Sequence, residues 1–144
     1  MNDRWTIGLL LAVAVALGAM REFVFVNLNY QLDHVARDTA FSYAHSIFQR
    51  WTAGMGLPGL KALKWAMALF FILTMTGLST IAARQLFGDH RYMRTIFFGV
   101  GTVGTVALVF HALSLDLAAV KLLHALQYPV VLVILVLVRP LVRP

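Results

Sequence analysis

The chain has 144 residues, 60% of them hydrophobic and only 12% charged, with a formal net charge of +6 and no cysteine. A soluble domain carries about 45–50% apolar and about 25% charged residues, so this composition excludes an ordinary one. The missing thiols exclude disulfide frameworks, thiolate zinc sites and iron–sulfur clusters. Its basic residues punctuate apolar segments instead of gathering on one face, which argues for Lys and Arg snorkelling to lipid headgroups and against a nucleic-acid partner.

Four stretches hold no charged residue: 5–20, 65–83, 95–115 and 122–138, with 16, 19, 21 and 17 positions. A bilayer core about 30 Å thick takes about 20 mostly apolar helical residues. The expected fold is therefore an all-α integral membrane protein, one membrane domain over 1–144. It has four transmembrane helices and an amphipathic interfacial helix between spans one and two.

The first span is expected at 5–26. Its start resembles a secretory signal, with Arg4 before the apolar run and Ala14, Ala16, Gly18 and Ala19 after it. Apolar character resumes at Phe23, Val24, Phe25 and Val26 after only Arg21 and Glu22, which favours an uncleaved span. In the connection that follows, Leu32, Val35, Ala36, Ala40, Tyr43, Ala44, Ile47, Phe48 and Trp51 recur at three- and four-residue steps. That spacing predicts an amphipathic helix over 32–52, and Asp33, His34, Arg37, Asp38, His45 and Arg50 place it on the membrane surface. The Gly54–Gly59 segment supplies a turn, and the remaining spans are expected at 61–86, 93–115 and 117–138, the last two joined by a turn at 114–117.

Each face of this topology carries six Lys and Arg residues. Arg37 and Arg50 lie far from span ends, and discounting them leaves six against four in favour of cytoplasmic termini. The expected location is thus a cell's inner (plasma) membrane with both ends in the cytoplasm.

Gly99-Val-Gly-Thr-Val-Gly104 matches the glycine pattern of dinucleotide-binding turns, but it sits inside an uncharged apolar run with no preceding strand. Gly101, Gly104 and Thr105 are read instead as a small-residue face for helix packing. His111 and His124 are centred on position 117.5, read as the middle of the hairpin between the third and fourth helices, which would hold them at equal depth. On the fourth, Lys121, His124, Gln127 and Tyr128 form a polar stripe about 120° wide. His34, Asp38 and His45 project within about 40° of one another on a continuous helix, read first as a solvated face. Together with Glu22 and Asp116 these residues make a pool of ligands or bases. The four histidines His34, His45, His111 and His124 are the candidates for holding haem or a divalent metal, although no tight ligand spacing such as H-E-x-x-H is present.

No catalytic signature stands out. The leading expectation is an accessory or structural membrane subunit that packs, within the lipid bilayer, against partner membrane proteins or copies of itself. A second is a histidine-based haem or metal protein acting on quinone or lipid, and a third is a small oligomeric channel or transporter. The short loops and the small-residue face support the first.

Overall fold

The computed structural model describes residues 3–88 and 90–142, without the side chains at positions 3, 4, 90, 116 and 139–142. Its elements are all helices: α1 Asp3–Arg37, α2 Ser46–Trp51, α3 Leu57–Phe87, α4 His90–Ala112, α5 Asp116–Leu126 and α6 Val130–Val142. Three of them (α1 over Trp5–Arg37, α3, and α4 over Arg91–Ala112) are long and apolar enough to cross a membrane. The 35 residues of α1 extend about 52 Å at 1.5 Å per residue, well beyond a hydrocarbon core of about 30 Å.

The single helix expected over 32–52 does not form. Residues up to Arg37 continue α1, which stops where Asp38 enters the left-handed region at φ 49°. There the Thr39 amide reaches back five residues to the His34 carbonyl at 3.3 Å, the bond that closes a helix C-terminus. The chain then runs irregularly until the His45 ring Nδ1 accepts from the Ile47 amide and caps the six-residue α2. Of the apolar residues at three- and four-residue steps, Leu32, Val35 and Ala36 belong to α1, Ala44 and Phe48 pack with Leu28, and Tyr43, Ile47 and Trp51 are exposed.

Pro58 stands in the first turn of α3, where its missing N–H would have had no helical acceptor. At the other end Gly88 takes φ 68° and its amide bonds the Arg84 carbonyl at 3.0 Å. Ser114, at φ 60°, closes α4 in the same way, with the Leu115 amide on the Phe110 carbonyl at 2.8 Å.

The fourth span, expected as one helix over 117–138, is broken. Pro129 lacks the N–H that would continue the ladder to Ala125, and the Tyr128 amide takes that carbonyl instead at 3.3 Å. The result is a 59° bend between α5 and α6. The pair makes a fourth candidate crossing only if both halves count as one span, and a re-entrant loop otherwise.

The chain divides into two compact units. One comprises Met1–Gly18 with Ile72–Pro144. Its buried clusters join Ile7 and Ala14 of α1 to Met75, Ala82, Ala83, Leu86 and Phe87 of α3, with Ile96 of α4 and Leu132 of α6. The second unit is Ala19–Phe71. It buries Leu28, Ala44 and Phe48 together, with Val24, Leu63 and Met67 packed against them.

Candidate functional site

Within the second unit, α1 presents Asn27, Gln31 and His34 at four- and three-residue steps, so all three lie along one face. Each holds the 38–56 connection. Asn27 donates from Nδ2 to the Phe23 carbonyl and accepts from the His45 amide. Gln31 donates from Nε2 to Thr52 Oγ1 at 2.7 Å, and that hydroxyl in turn donates to the Phe48 carbonyl at 2.6 Å. His34 Nδ1 lies 2.9 Å from Thr39 Oγ1.

These contacts dissolve the expected His34, Asp38 and His45 stripe. His34 is engaged with Thr39, and Asp38 is exposed at the helix end. His45 is spent as an N-cap, with its ring edge-on to Phe23 at 5.9 Å. The stripe required a continuous helix, and α1 ends before two of its three members. Beside this region Glu22, largely exposed, pairs with the buried Arg21 at 2.8 Å, and the guanidinium carbon lies 4.7 Å from the centre of the Phe25 ring.

In the first unit the turn between α4 and α5 is at 113–115, centred on Ser114. His111 and His124 are therefore not symmetric about it: His111 sits in the last turn of α4, while His124 lies ten residues beyond Ser114. On antiparallel helices this offsets them by about seven residues, or about 10 Å along the axis. The same register brings Val100 level with Tyr128, and those two do line one cavity, with Thr76 and Ser79.

Both histidines are exposed. The polar stripe expected on the fourth span divides because α5 stops at Leu126: Lys121 is exposed, Gln127 is buried and Tyr128 is half-buried at the break. Asp116 begins α5, and its side chain lies outside those described. Among the described residues no group of three or more His, Asp or Glu side chains is arranged to hold a metal.

The small-residue face of α4 is open. A Cβ built on Gly101 or Gly104 meets nothing within 4 Å, so among the described residues no other helix uses these glycines for the close approach expected of them. Phe98, Gly101, Thr102, Thr105 and Val106 instead line a shallow groove of about 360 Å³. The Thr102 hydroxyl donates to the Phe98 carbonyl at 2.7 Å and the Thr105 hydroxyl to the Gly101 carbonyl at 2.9 Å. Both donors are thereby satisfied inside the helix.

Two features escaped the sequence reading. The break at Pro129 carried a direct signal, a proline in the middle of an expected helix. The Asn27, Gln31 and His34 face was visible as polar spacing, but the loop that it holds was not. Comparisons with protein-family models, with curated proteins and with solved structures found no match.

Proposed function

We propose that the chain is an integral membrane protein that acts as an accessory or structural subunit, packing against a partner membrane protein or a second copy through α4. The membrane reading rests on an inverted distribution of polarity. Leu9, Leu69, Leu73, Leu108 and Leu137 lie exposed while Arg21, Asn27, Gln31, Ser79 and Gln127 are buried. Lipid tolerates that arrangement and water does not. In the same reading the protein sits in a cell's inner membrane with both termini cytoplasmic.

The observation that carries the assembly role is the exposure of α4. Only 11% of its most apolar stretch is buried within the chain, against 44% for α3. Its open face is built from small residues with self-satisfied hydroxyls, the composition that lets helix backbones approach closely where no hydrophobic force drives association.

Gly101→Leu separates assembly from folding. The added side chain has free space inside the chain, and replacing a mid-helix glycine favours the helix by about 0.8–1 kcal/mol, so the isolated chain should melt no lower. Association should fall. Energy transfer between labelled copies in vesicles reads self-assembly, and a photocrosslinker at Phe98 reads a different partner as discrete adducts in cells. Neither transfer nor adducts in the parent chain, or signals equal in parent and variant, would refute the role of α4.

A further inference from the structure

Within the second unit, α2 and the residues leading into it are seated on α1 between Phe23 and Leu28. The Phe48 ring lies edge-on to Phe23 at 5.6 Å, Ala44 and Phe48 are buried with Leu28, and the His45 amide donates to Asn27 Oδ1. Phe48 and Thr52 form the buried side of α2 and its C-cap. At 100° per residue, Ile47 and Trp51 fall within about 40° of each other and about 60–100° from Phe48. The apolar arc of this helix is therefore wider than the part that α1 covers, and Ile47 and Trp51 are left 57% and 52% exposed. Ser46, Gln49 and Arg50 fill the remaining arc, which is polar and exposed. Such a helix presents one side to protein, one to water and one to an apolar surrounding.

The level of α2 identifies that surrounding. Lys64 Nζ donates to Asn29 Oδ1 at 2.7 Å, joining α3 to α1. Lys64 immediately precedes the charge-free run 65–83, and a lysine at a span end carries its ammonium to the headgroups. The seat of α2 lies one to six residues before Asn29 on α1, about 1.5–9 Å toward the bilayer interior. Interfacial helices bury their apolar face about 5–10 Å into the headgroup–acyl boundary, so the two depths agree. Beyond Asn29, α1 continues for eight residues, about 12 Å, and carries the exposed Asp33–Arg37 ion pair at 2.7 Å into water. The left-handed backbone at Asp38 ends it there, and the chain returns to the level of Asn27 by His45. Glu22 lies deeper on α1, where Arg21 at 2.8 Å balances its charge.

We infer that α2 rests in the headgroup–acyl boundary of the bilayer with Ile47 and Trp51 in lipid, while the last turns of α1 stand clear of the membrane. Tyr30 and Tyr43, exposed nearby with their rings 6.2 Å apart, have the amphipathic character that favours this level. From Thr39 to Gln49 the chain holds no Asp, Glu, Lys or Arg, so contact with lipid buries none of their charges. The inference rests on the membrane reading above and not on the assembly role of α4.

Single cysteines in the cysteine-free full chain, each carrying a nitroxide, test it in phosphatidylcholine vesicles. Collision with oxygen reads lipid, and collision with a nickel chelate reads water. Ile47→Cys should give an oxygen-to-nickel ratio several-fold above those of Ser46→Cys, on the polar arc of the same helix, and Arg37→Cys, at the end of α1. Leu73→Cys, at an exposed position near the middle of the charge-free run on α3, reads the membrane itself and should give the highest ratio. A ratio at 47 equal to those at 46 and 37, with lipid at 73, would overturn the inference alone. Water at 73 would remove the membrane reading and this inference with it. A label at 47 shielded from both reagents would put protein instead of lipid on this face and would equally overturn the proposal.

Discussion

Two residues without glycine's freedom sit at helix ends in the left-handed region, Asp38 at φ 49° and Ser114 at φ 60°. That conformation costs an L-residue about 1–2 kcal/mol, and a glycine there loses about 0.5–1 kcal/mol of that gain to chain entropy. Ser114→Gly should therefore stabilise the α4–α5 turn by up to about 1 kcal/mol. Gly88→Ala, at φ 68°, should destabilise by a similar amount. Thermal unfolding in a single detergent checks both, and shifts of the same sign would contradict the turn geometry. At this scale the sequence was partly legible. Asn27, Gln31 and His34 fall on one face by spacing alone, but which carbonyls, amides and hydroxyls they meet depends on a loop folded back over α1.

Among the elements, the most consequential residue is Pro129. Restoring an N–H there with Pro129→Ala gives Ala125 its helical partner and favours a continuous α5–α6. Spin labels at Val120 and Val138, both exposed, are the gauge. Eighteen residues of straight helix span about 27 Å, and a 59° bend midway shortens this to about 23 Å. The variant should lengthen the mean distance by about 4 Å. An unchanged distance would mean that packing of α6 against α1 and α3, through Leu132 and Val136, holds the bend without the proline.

At the scale of the whole molecule, the path of α5–α6, a broken span or a re-entrant pair, decides on which side of the membrane α6 ends. The proposed topology puts position 89 and the C-terminus together in the cytoplasm. The chain has no cysteine, so single cysteines at Asp89 and Pro144 can be labelled with an impermeant maleimide without background. Protection of both in intact cells is the expected outcome. Labelling of one but not the other would make α5–α6 re-entrant, and labelling of both would reverse the orientation.

The charge-free lengths by themselves determined that the chain is helical and apolar enough to cross a membrane at least three times, because span length is a one-dimensional property. The same lengths located α3 and α4 to within about four residues at each end, but they ended the first span at 26, eleven residues short of the end of α1 at Arg37. Periodicity misread 32–52, where three of the nine spaced residues belong to α1 and the left-handed backbone at Asp38 ends that helix. Sequence symmetry placed His111 and His124 at equal depth, but their level depends on where the turn closes, and the backbone at Ser114 closes it about three and a half residues before their midpoint. Only the tertiary structure decided that Gly101 and Gly104 face open space and that Gln31 keeps an unmet acceptor. Whether a polar or small residue is partnered depends on what the rest of the chain brings beside it.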